Sequence, residues 1–158
     1  MKHKLLFLFV VLFSALTFAQ QPATSANDVE QGLQQKSQLH KNSLVKNVPF
    51  KNIGPTIMSG RVVDLAVNPD NPTEFYVGYA SGGVWYTKNN GTTFTPILDT
   101  SHTQNVGSLA VDWENNRIWV GTGEVNASRS SYAGIGLLKS ANNGETWSTV
   151  GLQDSHHI

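Results

Sequence analysis

The chain has 158 residues, no cysteine, and 11 basic against 11 acidic residues. The lack of thiols excludes disulfides, thiolate metal sites, a cysteine nucleophile and a lipid-modified cysteine, so the fold must hold by packing alone. From Gly54 onward five residues are basic and nine acidic, which argues against nucleic acid as a partner, because phosphate binding relies on clustered lysine and arginine.

The first residues, MKHKLLFLFVVLFSALTFAQQ, set Lys2 and Lys4 ahead of an apolar run from Leu5 to Leu16 and a small-residue site ending at Ala19. A membrane-spanning helix needs roughly 18 or more apolar residues, and this run is shorter. Residues 1–19 therefore read as a cleavable secretory signal, and the expected product starts at Gln20, exported to the periplasm, cell surface or medium, with no membrane span. Removing Lys2 and Lys4 leaves nine basic residues against eleven acidic ones, a net charge of −2. Residues 20–48 are rich in Gln, Ser, Asn and Lys and poor in aromatics, so they bury little surface. Val29 and Leu33 hint at a helical face that Gly32 and Ser37 weaken, and the expectation is a polar tether of low helical content.

From Pro49 the texture changes to short β-rich runs separated by turn residues: RVVDLAV, NPDNP, EFYVGYA, SGG, VWYT, KNNG and TTFTPIL. Val63, Leu65 and Val67 alternate with the period of a half-buried strand, and the Asn, Pro, Asp and Gly clusters are turn chemistry. The order repeats in VGSLAVDW, RIWVGTGE, GIGLLKS, ANNG and ETWSTV. Leu65-Ala66-Val67 aligns with Leu109-Ala110-Val111 at an offset of 44, Val77 with Val120 at 43, and Gly83 with Gly136 at 53. The second copy has lost one residue in its first turn and gained ten within EVNASRSSYAGI. Repeats of this length with four strands each predict an all-β fold of β-propeller blades, each of four antiparallel strands. The blades are expected over 49–104, with a lead-in, and 105–151, while 152–158 would start a third. Two blades make an incomplete propeller, so the chain reads as the N-terminal piece of a longer protein whose remaining blades are its partners.

TKNNGTTF at 87–94 and SANNGETW at 140–147 share the skeleton S/T-x-N-x-G-x-T-W/F. Both resemble the Asp box, or BNR repeat, of sialidases, sortilin-like propellers and xyloglucan-degrading propellers. The third position of that motif normally carries Asp, and Asn89 and Asn142 keep its acceptor oxygen without the charge. Gly91 and Gly144 are expected to supply positive φ, Thr87 and Ser140 to open the turns, and Phe94 and Trp147 to act as apolar wedges between strands or blades. The resemblance implies a peripheral, structural role for both copies.

The stretch from Pro49 to Ile158 resembles exported bacterial propellers of the sortilin-like, or glycosyl hydrolase, group, and the opening blade is similar to that of the xyloglucanases. There a Thr-Asp-x-Gly-Gly-x-Tyr stretch carries a catalytic carboxylate in second place. Read onto Tyr79-Ala80-Ser81-Gly82-Gly83-Val84-Trp85, it puts Ala80 where the carboxylate belongs, which counts against hydrolysis.

Binding chemistry points to the ten-residue insertion, since loops carry binding groups. Glu124, Asn126, Arg129 and Tyr132 offer an anion contact, amide hydrogen bonds and an aromatic platform for a sugar or peptide, against the alternative of a tolerated surface loop. Arg61 reads either as an anion clamp or as one half of an ion pair with a neighbouring blade. Asp64 reads as a channel-facing or a turn carboxylate, and Asp99 and Asp112 as turn residues. His156 and His157 are adjacent and face opposite sides of an extended chain, so no metal site is expected, and no glycine loop suggests a nucleotide cofactor. The function expected is a binding platform for polysaccharide or a protein or peptide ligand. The alternative is a xyloglucanase-like hydrolase of β-glucans, with its carboxylates mostly outside these residues.

Overall fold

A computed structural model describes residues 24–49, 60–126 and 131–158 of the protein. The signal sequence and its cleavage point after Ala19 lie outside the described residues, as does Arg129.

The structure is almost all β, built as two four-stranded antiparallel sheets in simple meander order. The first sheet contains β1 (Val62–Val67), β2 (Phe75–Tyr79), β3 (Gly83–Thr87) and β4 (Thr95–Pro96). The second contains β5 (Val106–Asp112), β6 (Arg117–Gly123), β7 (Ala133–Ser140) and β8 (Ser148–Thr149). The sheets are two blades of an unclosed propeller. Their outermost strands are only two residues long, a length that limits edge-to-edge pairing with other chains. The repeat extends to irregularities: the β1–β2 register shifts between Val62 and Asp64, and the β5–β6 register shifts between Val106 and Ser108, 44 residues on.

The core lies between the blades. Tyr76 and Val84 from the first sheet and Val106, Ile118, Val120 and Leu138 from the second are buried together with Leu98 of the connecting segment. Burying this apolar surface is what holds blade to blade, because the stabilisation scales with the area withdrawn from water. Tyr76 stacks on Trp113 across the interface with ring centres 5.1 Å apart. Asp64 adds a polar tie, its Oδ2 accepting from the amide of Leu109 at 2.7 Å. It therefore neither faces a channel nor caps a turn. Its counterpart 44 residues on, Ser108, donates through Oγ to the carbonyl of Ile158 at 3.2 Å, so this position of the inner strand twice reaches the chain that follows.

The tether departs from expectation. Residues Ala26–Asn42 form α1, a helix of 17 residues with no buried side chain. Gly32 and Ser37 do not prevent it, because the ends are well specified. Ser25 caps the first turn by accepting from the amide of Asp28 at 3.2 Å, Asp28 sits at the positive end of the helix dipole, and His40 and Lys41 sit at the negative end. The amide of Ala26 donates to Asp154 Oδ1 at 3.0 Å, and Lys36 lies close enough to reinforce the lowering of the His102 pKa that burial begins. The helix thus rests near the two segments that leave β4 and β8. Among the described residues no helix is long and apolar enough to cross a membrane.

Candidate functional site

The two NNG turns build identical scaffolds. In the first, Thr87 Oγ1 accepts from the Gly91 amide at 3.0 Å while Asn89 Oδ1 accepts from the Thr93 amide at 2.9 Å. In the second, Ser140 Oγ accepts from the Gly144 amide at 2.8 Å and Asn142 Oδ1 from the Thr146 amide at 3.0 Å. Asn90 and Asn143 both take φ 55°, and Gly91 and Gly144 take 79° and 88°, left-handed values that a side chain at the glycine would oppose. Every polar side chain of the motif is thus spent on its own turn. Phe94 meets Phe75 edge-on at 6.1 Å within its own sheet. Trp147 crosses between the blades, and its Nε1 donates to the carbonyl of Ile97 at 2.9 Å.

The sequence candidates that do converge are Arg61, Glu124 and Tyr132. β6 runs into Glu124 with a buried Thr122 below it, whose Oγ1 donates to the Gly136 carbonyl and accepts from the Ile135 amide at 2.7 Å. The Glu124 amide then donates to the Tyr132 carbonyl at 3.2 Å, and this bond closes the neck of the insertion. Asn105 Nδ2 holds the far side through the Ala133 carbonyl at 3.0 Å, and Ser131 Oγ reaches the Asn126 carbonyl at 2.9 Å. The result is a short rim loop whose ends are fixed by backbone bonds.

Glu124 is buried, its side chain 0% exposed, whereas the side chain of Arg61 is 47% exposed. Arg61 closes a two-pronged contact on it, Nε to Oε1 at 2.7 Å and Nη2 to Oε2 at 2.5 Å. Such fork-to-fork pairing fixes the plane of both groups. The Arg61 hydrogen bond holds the Glu124 carboxyl below its ordinary value, burial opposes this, and the charges of Arg61 and His157 add to the lowering. Arg61 moves upward for the reciprocal reason, chiefly the bond to Glu124, with Tyr132 contributing. Of the two readings of Arg61, the geometry gives the interblade ion pair.

A carboxyl held ionised in this way is unsuited to act as the general acid of glycoside cleavage, which must stay protonated at working pH. Ala80 is buried, its amide donating to the Arg61 carbonyl at 2.9 Å and its carbonyl accepting from Val106 at 3.2 Å, so the position is occupied by interblade backbone bonding. Asp112 serves its turn, accepting from the amide of Asn115 at 3.1 Å, and these Asn115 bonds lower its pKa. The backbone carbonyl of His156 accepts from the Gly134 amide at 2.7 Å. Among the described residues no three His, Asp or Glu side chains gather as metal ligands would. Asn126, Val125 and Tyr132 are exposed on the rim, Tyr132 to 52%.

A separate cavity of about 520 Å³ opens between β4 and the second NNG turn, with Tyr86, Lys88, Asp99, Asn143 and Glu145 on its walls. It shares no residue with the Arg61 group, and its mixed charges converge on no single ligand chemistry. The contribution of His157 to the rim electrostatics was not legible in the sequence, because it depends on the segment after β8 returning to pair with Thr122 and Gly134.

The sequence matches no protein-family model, and no curated protein matches it. Solved structures do match. The xyloglucanase of glycoside hydrolase family 74 from Xanthomonas campestris is 18% identical over 56% of this chain, with a TM-score of 0.41. A family 74 enzyme from Niastella koreensis is 22% identical over 59%, with a TM-score of 0.44. An ancestral family 74 enzyme is 26% identical over 57%, also with a TM-score of 0.44. The matches span only 15%, 14% and 12% of those three chains.

Proposed function

We propose that this protein contributes two blades of the Asp-box type to an exported propeller that binds polysaccharide, with the 124–132 rim as a contact surface. The observation that carries this reading is the pairing of an exposed tyrosine with a pinned arginine. Tyr132 presents half of its ring to solvent, and Arg61, fixed by buried Glu124, keeps the remainder of its guanidinium exposed beside it. An aromatic face next to rigid donors suits sugar rings, which stack through their C–H faces and accept through their hydroxyls.

A second reading, a hydrolase of β-glucans, rests on the resemblance of the opening blade to xyloglucanases, the enzyme class named for the matched structure from Xanthomonas campestris. With Ala80 in the expected carboxylate position and Glu124 held ionised by Arg61, the acid and base of such an enzyme would come from blades outside these 158 residues.

The test is to incubate the protein with a panel of β-glucans including xyloglucan, measuring new reducing ends and retention on the immobilised polymers together. Retention that falls when Tyr132 becomes Ala, with no new reducing ends, supports the binding platform. New reducing ends support the hydrolase, and absence of both signals rejects polysaccharide as the ligand class.

A further inference from the structure

The internal interface serves as a template for what the two outer faces fit. The second blade meets the first through one ridge and one receiving surface. On the ridge, Leu109, Val111 and Trp113 are partly buried against the core. On the receiving side, Ala66, Tyr76, Val84 and Ile97 line the first blade, and Gly78 leaves room for the ridge, since a Cβ there would stand 3.1 Å from Val106 Cγ1 and 3.2 Å from Leu109 Cδ1.

Both halves recur, each without its mate. Forty-four residues before the ridge lie Leu65, Val67 and Pro69. Leu65 is 52% exposed and Val67 42%, although they hold the strand positions that bury Leu109 and Val111. The receiving surface recurs on the second blade as Ala110, Trp119, Gly121, Leu137 and Val150, matched through the pairs Ala66–Tyr76 with Ala110–Trp119 and Gly78–Val84 with Gly121–Leu137. Ala110 is exposed and Val150 is 47% exposed. Ile158 already stands at Gly121, where a Cβ would lie 2.7 Å from its Cγ2, in the place Val106 takes at Gly78. What the surface lacks is the ridge that follows.

We propose that a second copy of this chain supplies it, docking head to tail so that Leu65 and Val67 of one copy seat on the Trp119–Gly121–Val150 face of the next. Pro69 then reaches Trp119 where Trp113 reaches Tyr76. The second copy fits because its ridge carries the same Leu-Ala-Val triplet, Leu65-Ala66-Val67, that the receiving surface accepts internally as Leu109-Ala110-Val111. Two apolar faces of complementary form on one molecule make a heterologous contact, which propagates into rings or open stacks rather than stopping at an isologous dimer. The inference does not depend on the polysaccharide reading.

Sedimentation across a concentration series tests it. The expected result is an apparent mass rising at least about twofold over one copy as concentration increases. Leu65→Asp/Val67→Asp and, separately, Ala110→Asp/Val150→Asp should each remain monomeric, and their mixture should form a 1:1 dimer and nothing larger. A wild-type chain that stays monomeric throughout overturns the proposal, as does a mixture that fails to dimerise or a variant that still self-associates. If circular dichroism shows an aspartate variant unfolded, the milder Leu65→Thr/Val67→Thr and Val150→Thr replace it, with the same expected and overturning results.

Discussion

The indole Nε1 of Trp147 donates to the carbonyl of Ile97 at 2.9 Å, joining the last strand of one blade to the last strand region of the other across 50 residues of sequence. The same ring is part-buried against the interblade core, so it provides both a directional bond and an apolar wedge. Replacing Trp147 with Phe keeps most of the wedge and removes the donor, and should cost about 1 kcal/mol. Replacement with Ala also opens a gap between blades and should cost about 3 kcal/mol. Urea denaturation measures both, and equal losses would mean that the bond, not the packing, carries the contribution.

The NNG turns give a prediction about the residue that departs from the Asp-box pattern. Asn142 Oδ1 accepts from the Thr146 amide and from Ser140 Oγ, so the site needs an acceptor and no charge. Asn142→Asp should therefore leave stability within about 0.5 kcal/mol of wild type, whereas Asn142→Ala, which strips the acceptor, should lose about 1–2 kcal/mol. Gly144→Ala should cost about 2 kcal/mol or more, because φ is 88° and the new Cβ would stand 2.9 Å from Ile97 Cβ. Thermal unfolding of the three variants tests the order, and an alanine at 144 that is tolerated would contradict it.

These strands and turns were legible because their signals are local. Val63, Leu65 and Val67 alternate within one strand, and each NNG turn closes on residues no more than four apart. The helix was misjudged because Gly32 and Ser37 lower intrinsic propensity by small amounts, while the Ser25 cap and charges suited to the dipole act on the whole segment. At the candidate site the residue types were readable but their pairing was not. Arg61 and Glu124 are 63 positions apart, and only the docking of blade on blade decides between a clamp open to ligand and a bond already made. The crossing of Asp64 to Leu109 was hidden for the same reason, since a carboxylate within a strand reveals nothing of the strand in front of it.

The Arg61–Glu124 pair should govern acid stability. Because Glu124 is held below its ordinary value of 4.5 in the folded protein, the unfolded chain binds its proton first as pH falls. The contribution is therefore fully present above pH 4.5 and is lost as pH falls through the lowered native value. Asp112 shifts in the same direction through its bonds to Asn115 and adds to the slope. Urea midpoints measured from neutral pH downward should fall less steeply in Glu124→Gln than in wild type. At neutral pH Arg61→Ala should be the more damaging change, since it leaves a buried carboxylate without its cation, and Arg61→Ala/Glu124→Gln should recover part of the loss. A double variant no better than Arg61→Ala would show that the arginine acts through packing alone.

Two tyrosines at the blade interface set the opposite limit. Burial, aided by the charge of Glu74, pushes the Tyr76 phenol up from 10.0 to about 12. Tyr86 rises as well, through burial and its hydrogen bond to Glu74. The unfolded chain releases these protons first as pH rises, so the stabilisation is intact below pH 10 and declines as pH climbs toward the native values. Phenolate absorbance should accordingly show a late-titrating fraction that coincides with loss of the folded circular dichroism signal. Tyr86→Phe removes one ionisable group from the interface together with the bond to Glu74. It should lower stability at neutral pH by about 1 kcal/mol while making the decline above pH 10 shallower. If the decline is unchanged in that variant, alkaline unfolding starts elsewhere than at the contact between the blades.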